Sequence, residues 1–374
     1  MKTLQELCLK PETGERFSPE RLRQIEETLI EDHHSDMPWY LKVIVGIGAW
    51  LASCFFLGFA FALIGWEDKH QVTFGCIGVV LLVVAVVVGR QKWGVFAGQC
   101  ALAVSLAGQA MIYFGFIDEQ NRPLGTAMEY ALGLAALLYV AYPGFMSRLM
   151  TCFAALQVTL LWIYTGDDGE PFSTFRVESD LTRLVLLYWA VHLVGICYCF
   201  LRPRHSVLLA PLGYAFIISL AAWQIENLFN VWTRATVISY SPVWVEWTFF
   251  HGRFIMLAVA FFVIAVWAAG GIPVLREKPP LFLGLALALA VLVWLGSGGV
   301  LLALIFLLLG FSLQNRAILG LGLLLFPVFV TYYYYNLNLD LLAKAGVLIG
   351  SGLVMLLLRA GLARSVFAGP KEVP

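Results

Sequence analysis

The chain has 374 residues, of which 60% are hydrophobic and 13% are charged. A soluble domain has roughly a quarter of its residues charged, so this composition excludes an ordinary soluble enzyme or binding domain and indicates a protein embedded in lipid. The 24 basic and 24 acidic side chains balance, which argues against a nucleic-acid-binding surface.

The first segment, residues 1–38, is polar and predicts a cytoplasmic, amphipathic helical arm. Ser18 and Pro19 form a good helix start, with serine at the cap and proline at the first helical position. Leu22 and Ile25 then begin an apolar stripe at helical spacing. Because this segment has no short apolar core of the signal-peptide type, we expect the first apolar run to act as the insertion signal.

Apolar runs fill most of the remaining chain and predict an all-α, polytopic transmembrane helix bundle. A run of about 20 apolar residues crosses a bilayer as one helix. The sequence therefore predicts a single transmembrane domain over residues 39–359, followed by a cytoplasmic tail over residues 360–374. The predicted spans, about twelve, are 43–64, 71–89, 94–117, 124–142, 148–165, 183–201, 205–223, 251–270, 279–296, 299–314, 317–335 and 339–358. At Gly296–Gly299 the two adjoining segments are either separate spans or a re-entrant pair, and the second alternative would leave ten spans.

The distribution of charge predicts which side of the membrane each connection faces. Arginine and lysine recur in every second connection, for example at Arg90, Arg202 and Arg276, and at both ends of the chain. The other connections are acidic or aromatic, and the two long ones cover residues 166–182 and 224–250. Basic residues stay on the cytoplasmic side, so we predict that both termini are cytoplasmic and that the number of spans is even.

The polar residues that follow the eleventh predicted span form the first candidate site. Asp340 and Lys344 are four residues apart with the acid first, which is the favourable order for a helical ion pair. Tyr333, Tyr334 and Asn336 add hydroxyl and amide groups just before them. Two interpretations stay open: an ion pair at the outer interface with the lysine reaching into water, or a site for substrate binding or proton coupling.

Isolated polar residues inside predicted spans are further candidates, since polar groups in lipid are costly. Glu129 lies about one turn inside the fourth span and is a lone buried acid, a partner of Arg122 at the helix end, or simply exposed at the outer face. His192 lies near the centre of the sixth span and is either a packing residue or a proton-relay or haem ligand. Gln109 and Gln157 are suited to holding helices together or to lining a path.

Catalytic and cofactor motifs are absent from the sequence. It has no HExxH zinc motif, no phosphate-binding P-loop and no dinucleotide fingerprint. The seven cysteines form no CxxC pair, and we interpret them as packing residues. We therefore predict no enzyme activity, no cofactor and no metal site.

Two short blocks of sequence are distinctive. One is Tyr333-Tyr334-Tyr335-Asn336-Leu337 through Leu341-Leu342-x-Lys344, with a glycine-rich apolar span ending at Arg359, and the other is Trp39-Tyr40 before Gly46-x-Gly48-Ala49-Trp50-Leu51-Ala52. Together they resemble a bacterial multi-pass inner-membrane family of unknown function. Members of that family are commonly encoded beside a membrane-anchored protein with a GDYxxLxY motif. The resemblance implies a bacterial inner-membrane location and a partner of that type, and it implies no activity.

These observations favour a permease or transporter-like protein with a polar cavity on its outer side. Lys344, Asp340, Glu129 and some of the tyrosines would line the cavity, as ionisable residues beside glycine-interrupted helices do in many transporters. The alternative is a non-catalytic membrane scaffold that holds a periplasmic or membrane-anchored partner. The sequence does not define the oligomeric state.

Overall fold

The computed structural model describes residues 71–91, 95–116, 124–142, 144–165, 178–201, 206–229 and 243–336, together with isolated helical positions in 41–62 and 345–349. In this part of the chain the regular secondary structure is helical throughout, which confirms the predicted all-α class. The helices are α1 (Gln71–Arg90), α2 (Val95–Phe116), α3 (Leu124–Ala141), α4 (Phe145–Thr165), α5 (Glu178–Leu201), α6 (Ser206–Phe229), α7 (Val243–Ala268), α8 (Ile272–Glu277), α9 (Pro279–Trp294), α10 (Gly298–Ser312) and α11 (Arg316–Asn336).

Each predicted span from 71–89 to 317–335 coincides with one of these helices. The largest difference concerns the predicted connection over 224–250, where α6 continues to Phe229 and α7 begins at Val243. These two helices therefore extend beyond the purely apolar stretches that define the predicted spans. The predicted arm (1–38), the predicted tail (360–374) and the predicted span 339–358 lie outside the described residues or are described only at isolated positions.

Six of the described helices are long and apolar enough to cross a membrane. They contain Val72–Arg90, Phe145–Ile163, Arg183–Leu201, Leu208–Ile225, His251–Ala268 and Arg316–Tyr335. Three further apolar segments are shorter, namely Thr126–Ala141, Pro279–Trp294 and Gly298–Ser312. The described helices thus identify a multi-pass membrane protein.

The chain forms two compact units, one of residues 1–121 with 138–147 and the other of residues 122–137 with 148–374. In the first unit, α1 and α2 pack closely through two facing glycines. A methyl group added at Gly78 would lie 2.7 Å from the carbonyl oxygen of Gly108, and one added at Gly108 would lie 2.8 Å from that of Gly78. Because neither residue has a side chain, the two backbones touch, which is the usual way that membrane helices associate.

The end of α1 is also fixed within the first unit. The Arg90 Nε group donates a hydrogen bond to the carbonyl oxygen of Ala141 at 2.8 Å. The Tyr142 ring lies directly against Gly89, where any larger residue would collide with it. The connection between α3 and α4 therefore packs against the C-terminal end of α1.

In the second unit the centre of the core is α10. Its Leu301, Leu302, Ile305 and Phe306 side chains are fully buried. Its neighbour α9 is different, since its buried residues are Phe282 and Leu289 alone. A turn over residues 295–297 separates the two helices, with a left-handed backbone at Gly296 (φ 68°). The chain is therefore broken into two short helices at residues 295–297, and Gly298 and Gly299 form the start of α10.

Candidate functional site

The structure describes some of the sequence-predicted site residues and leaves others untested. Asp340 and Lys344 lie outside the described residues, so the predicted ion pair stays a prediction. Tyr333 and Tyr334 are half-buried on the last turn of α11, and Glu129 is exposed on α3. Asn336 is the residue at which α11 ends.

His192 is the predicted candidate with the most informative surroundings. Its side chain on α5 is 0% exposed. The Nδ1 atom lies 2.7 Å from the carbonyl oxygen of Tyr188, one helical turn earlier. A carbonyl only accepts hydrogen bonds, so Nδ1 carries the donated proton, and in the neutral ring Nε2 is then an acceptor. This Nε2 atom is buried and has no hydrogen-bond partner among the described residues.

Tyr188, whose ring packs against His192, is joined to two further polar side chains by hydrogen bonds between helices. The Tyr188 hydroxyl lies 2.7 Å from Ser219 Oγ on α6. Gln157 Nε2 on α4 donates to the same serine oxygen at 3.1 Å, and Tyr188 makes a longer contact of 3.5 Å to the carbonyl oxygen of Leu156. We call Gln157, Ser219, Tyr188 and His192 the polar chain. It links three apolar helices through the interior of the second unit.

Aromatic rings enclose the histidine. The Tyr188 and His192 rings have centroids 4.0 Å apart, as expected for residues four apart on one helix face. The Phe216 ring stands edge-on to His192 at 5.0 Å, and it reaches this position because it packs against Gly195, which has no side chain. The imidazole is therefore held in one orientation by α5 and α6.

A buried cation–aromatic cluster lies on α5, α6 and α7. The Trp189 and Trp223 rings pack edge to face with centroids 4.9 Å apart. The Arg253 guanidinium carbon lies 4.8 Å from the centroid of the Trp223 ring, within the range of a favourable cation–π interaction, and the Arg253 side chain is buried. The Trp189 Nε1 donor is buried and has no hydrogen-bond partner among the described residues. The cluster thus places a positive charge and an N–H donor in the core. It adjoins the polar chain on α5, where Trp189 directly follows Tyr188.

The chemistry available to these groups is hydrogen bonding and proton exchange. Hydroxyl, amide and imidazole groups donate and accept, and they suit a polar solute or a proton better than a metal ion. Within the described part of the chain, no group of three or more His, Cys, Asp or Glu side chains is placed to hold a metal. The arrangement offers a set of interhelical hydrogen bonds beside a buried imidazole.

The sequence identified two members of the polar chain and missed the other two. Gln157 and His192 are recognisable as polar residues deep within apolar runs, whereas Tyr188 and Ser219 are not. A hydroxyl in an apolar run is too common to stand out. The signal that was available is the four-residue spacing of Tyr188 and His192, which places both on one face of α5.

Comparisons with known proteins give a family and no function. No curated protein and no solved structure shows a significant match to this sequence. The family model described as Domain of unknown function (DUF4401) matches residues 38–365, which is most of the chain. This agrees with the resemblance of the sequence to a family of unknown function, and the protein belongs to the DUF4401 family.

Proposed function

We propose that this protein is a transporter-like permease in which a small polar solute or a proton passes along the polar chain of the second unit. The observation that carries the proposal is the buried Nε2 acceptor of His192, which has no partner among the described residues. Its ring packs on Tyr188, whose hydroxyl belongs to a hydrogen-bonded set that joins three apolar helices. Polar residues inside membrane helices are rare because they are costly, and they commonly mark solute paths and proton relays.

The energetic argument concerns the unsatisfied nitrogen. Leaving a buried acceptor without a donor costs about 1–3 kcal/mol. An apolar side chain of similar size at position 192 would avoid this cost. A buried acceptor in this setting is suited to a donor that arrives and leaves, such as a solute hydroxyl, an ammonium group or a proton.

The wider assignment is part of the same proposal. Both termini are cytoplasmic, about twelve helices cross a bacterial inner membrane, and the protein is not an enzyme. Lys344, Asp340, Glu129, Tyr333, Tyr334 and Asn336 form the outer entrance to the path. The alternating basic and acidic connections support this orientation.

Reconstitution tests the proposal although the substrate is unidentified. Liposomes containing the purified protein are loaded with a small-molecule cell extract, and mass spectrometry measures which compounds leave. We expect at least one polar compound to leave these vesicles faster than protein-free vesicles. Ser219→Ala, which breaks the link between α4, α5 and α6, should slow that efflux about tenfold, equivalent to about 1.4 kcal/mol.

The matched control is Ser105→Ala on α2. Ser105 is also a fully buried serine in an apolar helix, but its hydrogen bond comes from Gln109 Nε2 of the same helix at 3.3 Å. If both variants slow efflux equally, the path does not run through the polar chain.

A scaffold role would give a different result. In that case no compound would distinguish protein-containing vesicles from empty ones, and purification from native membranes in mild detergent would retain a membrane-anchored partner of the GDYxxLxY type with both serine variants. That pair of results would refute the permease proposal.

A further inference from the structure

We infer that a cavity beside Arg316 and Trp267 binds the headgroup of an anionic phospholipid. The cavity has a volume of about 590 Å³ and lies where the last turn of α7 meets the connection from α10 to α11. It is independent of the polar chain, so this inference and the proposed function stand or fall separately.

The position of the cavity corresponds to a membrane border. One candidate membrane span, His251–Ala268, ends beside it, and another, Arg316–Tyr335, begins beside it. Tryptophan is enriched at the level of lipid headgroups, and Trp267 lines the cavity. The cavity is therefore at the depth where a phosphate group and the start of an acyl chain lie.

The walls of the cavity combine two chemistries. Arg316, Gln314 and Ser312 provide a cation and hydrogen-bonding groups, whereas Phe311 and Leu319 provide apolar surface. The arginine fork matches the geometry of a phosphate group, and the Phe311 side chain is 76% exposed. A free phosphate would leave this apolar wall uncovered. An amphiphile with an anionic headgroup covers both parts, so we assign the cavity to a phospholipid.

The backbone of the connection supports a role for the Gln314 side chain. Three helices end with the same hydrogen-bond pattern. In each, one residue has a positive φ, and the backbone N–H of the next residue donates to the carbonyl oxygen five residues before it. The residues with positive φ are Gly270, Gly296 and Gln314. Glycine is the usual residue there because it has no Cβ to clash. Gln314 has φ 52° and is the one non-glycine residue with positive φ in the described part of the chain. Gln314 lines the cavity, so a hydrogen bond from its amide to the bound headgroup would offset the strain of this backbone position.

The connection is held in place before any ligand arrives. Asn315 Oδ1 accepts hydrogen bonds from the backbone N–H groups of Ala317 at 3.1 Å and Ile318 at 3.3 Å, which caps α11. Asn315 Nδ2 also donates to the Tyr214 hydroxyl on α6. Arg316 and Gln314 flank this fixed residue, so their side chains extend from a preformed turn.

Native mass spectrometry of the full-length protein tests the inference. The protein is placed in nanodiscs of equal phosphatidylglycerol and phosphatidylcholine with identical acyl chains, and the lipids retained after release are counted. We expect the wild type to retain phosphatidylglycerol preferentially and Arg316→Gln to reduce that preference about tenfold, the effect of losing one charge-assisted hydrogen-bonded contact.

Two variants provide controls. Arg276→Gln removes an exposed arginine of α8 that does not line the cavity, and it should leave the preference unchanged. Gln314→Gly should raise the melting temperature, because it relieves the left-handed backbone, and should still weaken phosphatidylglycerol retention. A glutamine with only a structural role would not give that combination.

Three results would overturn the inference. Equal retention of the two lipids by the wild type would show that the cavity does not select an anion. Equal losses with Arg276→Gln and Arg316→Gln would show a general effect of surface charge. Displacement of phosphatidylglycerol by millimolar inorganic phosphate would show a site for the free ion and not for the lipid.

Discussion

The two short helices α9 and α10 have similar lengths and compositions but different surroundings. They have 16 and 15 residues, and neither contains a charged side chain. On α9 the Leu283, Leu287 and Trp294 side chains are exposed, whereas the Leu302 and Phe306 side chains of α10 are completely buried. Hydrophobicity therefore does not decide which helix occupies the core of this protein.

The placement of glycine accounts for the difference. On α10, a methyl group added at Gly310 would collide with the backbone nitrogen of Leu319 on α11, and one added at Gly299 would lie 2.6 Å from the Phe329 ring. On α9, a methyl group added at Gly284 would meet none of the described residues within 4 Å. In lipid the apolar surface gains little from burial, so close packing at small residues determines which helices associate.

The strongest test of this comparison removes side-chain volume from each helix. Leu302→Ala on α10 should lower the free energy of unfolding by about 3 kcal/mol, because it leaves a cavity in a close-packed core. Leu283→Ala on α9 should have much less effect, since that side chain is exposed. Unfolding in mixed micelles, followed by circular dichroism, measures both. Equal losses would mean that α9 is as closely packed as α10.

A smaller effect is expected when volume is added at the glycines. Gly310→Ala should destabilise the protein by about 2 kcal/mol because the two backbones must separate. Gly284→Ala should be neutral or stabilising by up to about 1 kcal/mol, since alanine favours a helix more than glycine does. Melting temperatures in one detergent report the difference. A neutral Gly310→Ala would show that α10 and α11 adjust freely, contrary to the packing described here.

The smallest change in stability is expected at His192 in the polar chain, because a leucine there would remove one favourable and one unfavourable contribution. His192→Leu removes the hydrogen bond from Nδ1 to the Tyr188 carbonyl, but it also removes the unsatisfied Nε2 acceptor. These effects oppose each other, so the melting temperature should change little, whereas the efflux described above should be lost. A large fall in melting temperature with efflux retained would identify His192 as a packing residue.

The sequence was sufficient to locate the long apolar helices that the structure describes, because a run of about 20 apolar residues predicts one helix. It did not predict the six-residue α8. It could not distinguish α9 from α10, since a helix that is apolar on all sides has no amphipathic face to show which side is buried. Only two of the four residues of the polar chain could be predicted, for a related reason. Its bonds join residues 31 and 62 positions apart, and such pairings depend on helix packing that local patterns do not specify. The predicted pair of Asp340 and Lys344 lies outside the described residues and stays a prediction.

The shortness of α9 has a consequence for the surrounding membrane. At about 1.5 Å per residue, a helix of its length extends about 24 Å, which is less than the roughly 30 Å thickness of the hydrocarbon layer. Since α10 is largely enclosed by protein, its similar length disturbs the lipid much less. A helix of this length that crosses the bilayer with an exposed side would require the neighbouring acyl chains to compress, at an energetic cost that grows with bilayer thickness. We therefore expect longer acyl chains to affect the protein at its short exposed helices, of which α9 is one.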